Sequence, residues 1–199
     1  MTTESRSVAD TPHIRRARIE DAAEIARLFL ISSDGLAGYI WSRIARPGET
    51  PAEVGAARYA RRGTAFSFEN CLLAVAEGEV LGMAHAFPMP PRAADETEDD
   101  PVLAPYAKLE DAGSLYLSGL AVKAQYRGLG MGGRLMDRIE STAVAKECLR
   151  VSLICFERNE GAMRFYRRRG YREIARHPLV PHPALCYADG DAVLLVREV

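Results

Sequence analysis

Four of the six residues from Gly128 to Gly133 are glycine, in the run Gln125-Tyr126-Arg127-Gly128-Leu129-Gly130-Met131-Gly132-Gly133-Arg134-Leu135-Met136. An apolar, strand-like run precedes them and a helix-like run follows. A glycine turn so placed lets backbone N–H groups close around an anion, and the helix N-terminus behind it adds a favourable dipole. The stretch fits two anion templates. Gly128-x-Gly130-x-x-Gly133 matches the dinucleotide fingerprint, which also asks for an acid at the end of the next strand, where Glu157 stands. Arg127-x-x-Gly130-x-Gly132 matches a pyrophosphate loop. Its donors would be the amides from about Leu129 to Arg134, with Arg127 adding charge or bracing the turn. The phosphate loop of nucleoside triphosphatases fails, because no Gly-Lys-Ser/Thr follows. The dinucleotide reading is short of chain: a doubly wound domain needs several strand–helix units after its fingerprint, and beyond Glu157 there is room for one helix and a closing pair of strands.

The elements that must position this turn follow from periodicity. Residues 1–12 are polar and read as a frayed tail, and 13–199 as one domain. A strand at 13–19 leads into a helix with Ile25, Leu28 and Phe29 on one face and Glu20 and Asp21 in its first turn. Residues 34–63 read as one or two short helices broken at Pro47-Gly48. Residues 71–87 read as a hairpin turning at Glu77-Gly78-Glu79, and 88–113 as a long Pro- and acid-rich loop. Strand 114–122, the glycine turn, a helix, and strand 150–156 imply a parallel crossing. A last helix is capped by Asn159 and closed by Gly170, before strands at 172–176 and 191–199. The fold class is α/β, a mixed sheet of about six to seven strands, antiparallel in its N-terminal part, with helices alongside.

Composition narrows the function classes. A hydrophobic fraction of 48%, a charged fraction of 27% and a net charge of -1 argue for a globular protein and against a general nucleic-acid binder. No apolar run has membrane-spanning length, and the N-terminus lacks the apolar segment of a signal peptide. The four cysteines, Cys71, Cys148, Cys155 and Cys186, have no metal-ligand spacing. No metal is expected, and reduced thiols point to a cytoplasmic protein.

Taken in order, Leu120-Ala121-Val122, Arg127-Gly128-Leu129-Gly130-Met131-Gly132, Leu135, Asn159, Ala162, Phe165-Tyr166 and Gly170-Tyr171 resemble the GCN5-related N-acetyltransferase (GNAT) family over residues 114–171. The resemblance implies that family's fold and an acetyl-CoA-dependent transfer of acetyl directly to a primary amine. Carried over, the main-chain groups of Leu120 and Val122 pair with the pantetheine arm of coenzyme A, and Ala121 between them belongs to the same cofactor-binding strand. The pyrophosphate lies on Arg127, Gly128, Leu129, Gly130, Met131, Gly132, Gly133 and Arg134. Asn159, Ala162, Phe165 and Tyr166 line the arm. Tyr166 matches the family's general acid, and the Leu120 amide its oxyanion donor. Arg134, Arg164, Arg167 and Arg168 could meet the 3′-phosphate or form a solvated basic face.

The base stays open. Where many members carry a Glu on the strand before the loop, this sequence has Ser118, and a serine is no simple base. Ser118, Tyr116 and His85 are candidates for a base or a water path; Glu110, Asp111 and Glu157 are acids near strand ends that also read as solvated. The acceptor is a small-molecule or peptide amine. Asp95, Glu96, Glu98, Asp99 and Asp100 would attract a cationic one, or form a solvated loop. Neither nucleic acid nor a membrane is expected as a partner, and a homodimer is compatible with the family. Two rivals remain: a non-catalytic acyl-CoA sensor of the same fold, kept open by Ser118, and the dinucleotide binder.

Overall fold

The computed structural model describes residues 11–91 and 97–199. Most of the frayed-tail expectation, and Asp95 and Glu96 of the acidic run, therefore lie outside the described residues. Along the chain come β1 (His13–Arg16), α1 (Ala22–Ser32), α2 (Leu36–Ile44), α3 (Pro51–Tyr59), β2 (Cys71–Ala76), β3 (Glu79–Pro88), α4 (Ala104–Ala107), β4 (Leu115–Val122), α5 (Met131–Ala145), β5 (Arg150–Phe156), α6 (Glu160–Arg168), β6 (Arg172–Pro178) and β7 (Asp191–Glu198). The strands form one open sheet in the order β1-β2-β3-β4-β5-β7-β6. Neighbours are antiparallel except β4 and β5, which run parallel.

Local chemistry explains where elements begin and end. β1 stops at Arg16, short of the expected 19, because Asp21 bends the chain: its carboxylate accepts from Arg18 N at 2.7 Å and from the Arg15 guanidinium at 2.7 and 2.8 Å. α3 opens on a capping box, with Glu53 N donating to Thr50 Oγ1 at 3.3 Å and Thr50 N to Glu53 Oε2 at 2.8 Å, and with Pro51 preset for the first turn. The β2–β3 hairpin turns through Glu77 and Gly78 at φ 50° and 76°, the left-handed pair a two-residue hairpin prefers. The described part of the expected loop over 88–113 that runs from 97 to 113 is more ordered than its composition suggests. It contains α4, and Asp100 anchors it by accepting from Tyr39 Oη at 2.8 Å and pairing with Arg43 at 2.8 Å.

The sheet carries a core on each face. On one, Ile25, Leu28 and Phe29 of α1 pack with Trp41, Tyr59, Leu73 and Met83. On the other, Leu135, Met136 and Ile139 of α5 pack with Leu115, Leu117, Leu153 and Leu195. β4 changes sides halfway. Its register with β3 slips between His85 and Ala86, so Ser118 is an extra residue in the ladder. Before this bulge Leu115 and Leu117 face α5; after it Leu120 and Val122 do, while Gly119 and Ala121 face α1.

Candidate active site

β4 and β5 pair only at Leu115–Val151 and Tyr116–Ser152. Beyond Tyr116 they separate, and the gap is a cleft of about 720 Å³. Of the residues singled out from sequence, Tyr116, Ser118, Leu120, Ala121, Val122, Arg127, Gly132, Asn159, Ala162, Phe165 and Tyr166 line it. His85, Gly128, Leu129, Gly130, Met131, Gly133 and Arg134 do not.

The wall made by β4 offers main chain. Lys123 N donates to Leu81 O of β3, so by the alternation of an antiparallel ladder the amides of Val122 and Leu120 point away from β3, toward the gap. The Val122 carbonyl is already taken by Arg127 Nε at 3.0 Å. Arg127 thus braces the loop, and what stays open for an added strand is Leu120 and the Val122 amide.

Above this wall the glycine turn opens the N-terminus of α5. Gly128 and Gly130 sit at φ 80° and 79°, left-handed values that any side chain would strain. Gly130 is the N-cap and has no side chain to fill the site. The first i→i−4 bond of the helix runs from Arg134 N to Gly130 O at 3.1 Å, so the amides of Met131, Gly132 and Gly133 precede the ladder while that of Arg134 is spent. This trims the expected donor set by one. The Met131 side chain is 6% exposed and belongs to the core. The Arg134 guanidinium donates to Pro12 O at 2.7 Å, and Arg164 pairs with Glu160 at 2.9 Å. Those two arginines are engaged with the protein's own surface.

The opposite wall is α6. Asn159 Oδ1 accepts from Ala162 N at 3.1 Å, the expected cap, and its Nδ2 donates to Asp34 Oδ2 at 2.8 Å. Tyr166 packs its ring against Phe165 and Tyr171, with centroids 5.2 and 5.7 Å away. Burial pushes its hydroxyl well above the ordinary tyrosine value, and the same holds for Tyr116, so both keep their protons. Burial also pushes the Cys155 thiol up to about 12, which leaves it unreactive as a nucleophile.

Ser118 and His85 act together. His85 is 0% exposed, behind Ser118. Its Nε2 lies 2.9 Å from Ala65 O, and a carbonyl only accepts, so Nε2 carries the ring proton. The bare Nδ1 therefore accepts from the Ser118 hydroxyl and, at 3.3 Å, from Tyr59 Oη. Burial lowers the His85 pKa to about 4, so the ring orients Ser118 rather than storing a proton at neutral pH. Asp111 and Glu157 are structural: Asp111 holds Arg150 at 2.7 and 2.8 Å, and Glu157 holds Arg176 at 3.1 Å.

Two charged residues in the cleft escape the sequence reading. Asp34 stands at the α1–α2 corner with φ 47°, fixed there by Cys186 N donating to its carbonyl at 2.9 Å. Burial raises its carboxyl pKa, with the Asn159 bond opposing. Arg58, on α3, lies with its guanidinium 5.7 Å from the Phe66 ring centre. Its Nε is buried without a hydrogen-bond partner, as is the hydroxyl of Tyr106, which also lines the cleft. Among the described residues, no group of His, Cys, Asp and Glu is placed to hold a metal ion, and no helix is long and apolar enough to cross a membrane.

Comparison with known proteins matches this frame. A family model described as the acetyltransferase (GNAT) family covers residues 41–171. A 61-residue stretch, 31% of this chain, is 30% identical to thialysine N-epsilon-acetyltransferase of Bos taurus and spans 36% of that protein's length. Among solved structures, an N-acetyltransferase from Staphylococcus aureus Mu50 superposes with a TM-score of 0.63 at 18% identity, over 93% of this chain and 100% of that one. Ribosomal-protein-alanine N-acetyltransferase from Brucella melitensis gives 0.63 at 18% identity, over 94% and 99%. At such identities the likeness is one of fold.

Proposed function

Because this chain belongs to the GNAT acetyltransferase family, we propose that it transfers acetyl from acetyl-coenzyme A directly to an amine. The observation that carries this reading is the parting of β4 and β5 beyond Tyr116, with the open edge of β4 on one side and the Tyr166 hydroxyl on the other. The residues suit the donor molecule: an uncapped helix N-terminus at a glycine turn for the pyrophosphate, and unpaired strand main chain for the pantetheine amides. When bound, acetyl-coenzyme A supplies a thioester carbonyl carbon open to attack by nitrogen.

The chain's own groups then have definite tasks. The Leu120 amide, aimed into the cleft, donates to the carbonyl oxygen as charge gathers there. As the new C–N bond forms, the C–S bond breaks and sulfur leaves with the electron pair. The Tyr166 hydroxyl, kept protonated by its burial, gives that sulfur a proton. The nitrogen gives up one proton to solvent and the Tyr166 oxygen takes one back from solvent, so the exchange balances and the tyrosine is restored. Ser118, its hydrogen committed to His85, turns oxygen lone pairs toward the cleft, where they accept from the attacking amine. Cys155 lines the cleft, but burial keeps its thiol protonated, so the reading invokes no acyl-enzyme.

The test is thiol release from acetyl-coenzyme A against a panel of amines, with thermal shift reporting binding. Tyr166→Phe should lower kcat by about 100-fold or more and leave acetyl-coenzyme A affinity nearly unchanged. Unchanged kcat would remove Tyr166 from the chemistry. Binding without thiol release from any amine would leave a binding module in place of an enzyme.

A further inference from the structure

The cleft holds two opposite charges, Asp34 and Arg58, and among the described residues neither has an ion-pair partner. Asp34 Oδ2 accepts one neutral bond, from Asn159. The groups that bear on it electrostatically, Tyr106, Tyr166, Cys155, Cys186 and Tyr187, are neutral. Among the described residues no Lys, Arg or His forms an ion pair with it. It is held in a left-handed conformation and tied to the loop before β7 through Cys186 N. A carboxylate so placed, with no cation, is costly unless a ligand supplies one.

Arg58 is the counterpart. No carboxylate pairs with it among the described residues, and burial, with the like charge of Arg61 second, lowers its pKa. Among the described residues four buried side-chain polar atoms lack a hydrogen-bond partner, and two of them, Arg58 Nε and Tyr106 Oη, belong to residues lining this cleft. The wall nearby is aromatic, with Phe29, Trp41, Phe66 and Tyr116. An apolar trough with an anion and a cation along it selects by charge pattern. A diamine would present a second cation to Arg58. A simple alkylamine would leave Arg58 and Tyr106 dry.

We propose that the acceptor is an amine that also carries an anionic group, an amino acid or a close relative, with its ammonium received by the Asp34 carboxylate, where it loses a proton to solvent before attack, and its anion received by Arg58. The methylenes between would lie along the aromatic wall. This rests on the acetyl-transfer reading and adds the acceptor's class.

The experiment measures thiol release with ω-amino acids of increasing length, each beside the alkylamine and the α,ω-diamine of matching length. For the wild type, at least one amino acid should exceed its alkylamine and diamine in kcat/KM by about tenfold or more. Arg58→Gln should bring that ratio to within about threefold of unity, the loss falling on KM for the amino acid, and Arg58→Lys should restore part of it. Asp34→Asn, which keeps the shape and tolerates the left-handed backbone, should raise KM for amino acids and alkylamines alike. Thermal shift with acetyl-coenzyme A confirms that each variant is folded. Alkylamines or diamines preferred at every length, a preference that survives Arg58→Gln, or acetyl-coenzyme A binding with no amino acid acetylated, would each overturn the proposal. A wild type that fails to bind acetyl-coenzyme A would instead overturn the acetyl-transfer reading.

Discussion

His85 shows how one residue ties the site to stability. Its ring is enclosed by Tyr59, Phe29, Phe66 and Phe87, with centroids 5.1 to 5.9 Å away, and this burial disfavours the charged form. Unfolded, it titrates near 6.5; folded, near 4. Above the higher value both states are neutral and the shift has no effect. Between the two, the unfolded chain binds a proton that the folded one refuses, so stability falls as the pH is lowered, by about 3 kcal/mol in all. Unfolding followed from pH 7 down to pH 4 should show this loss, and His85→Gln should flatten it across that window. An unaltered pH slope in the variant would mean that the acid sensitivity belongs to other groups. The same enclosure keeps Ser118 oriented, so the variant should also lose activity at neutral pH, where wild-type His85 is already uncharged.

At the scale of elements, the contact of α1 with β4 positions the acceptor side of the cleft. A Cβ on Gly119 would stand 2.8 Å from the Phe29 ring and 2.8 Å from Ser32 Oγ. Phe29 cannot easily turn aside, being packed against Trp41 at 5.8 Å and Tyr59 at 5.6 Å. Gly119→Ala therefore pushes α1 outward, and overpacking of this kind costs about 1–3 kcal/mol. The denaturant midpoint should fall at unchanged slope. The acceptor KM should rise as well, because Asp34 follows α1 directly. Wild-type stability in this variant would show that α1 is not seated on Gly119. The sequence announced some of these elements and concealed others. β5 is read at 150–156 because a short apolar run between a helix and a turn is a local signal, and so are the Asn159 cap and Gly170. The Ser118 bulge is invisible, since it exists only in the register between two strands. Asp34 hides in Ser-Ser-Asp-Gly, an ordinary helix ending. What makes its charge matter comes from Asn159 and Cys186, more than a hundred residues away in the chain. The role of Asp100 is hidden for the same reason: its partners Tyr39 and Arg43 lie on α2, far earlier in the chain.

At the scale of the molecule, the sheet is two blocks with a short seam. β1 to β4 are joined antiparallel, and β5 pairs with β7 at seven positions, but the blocks share only the two pairs at Leu115 and Tyr116. The seam is fastened by Ser114 Oγ and Ser152 Oγ, 2.6 Å apart and both 0% exposed, and by the fork of Arg150 on Asp111. At the open end, Asn159 and Cys186 hold the Asp34 corner to the second block. The cleft's width is thus set by fastenings at its two ends, with no pairing along its walls. Ser152→Ala removes one of them. The Ser114 hydroxyl still donates to Asp111 O at 2.7 Å, so the loss is a single buried hydrogen bond, about 1 kcal/mol. For a chain of this size that lowers Tm by about 2–4 °C. If the seam sets the angle between the blocks, acetyl-coenzyme A affinity should fall with Tm, while hydrogen exchange in the β5–β7 ladder stays as in the wild type. A lowered Tm with affinity intact would mean that the cores on the two faces, and not the seam, hold the walls apart.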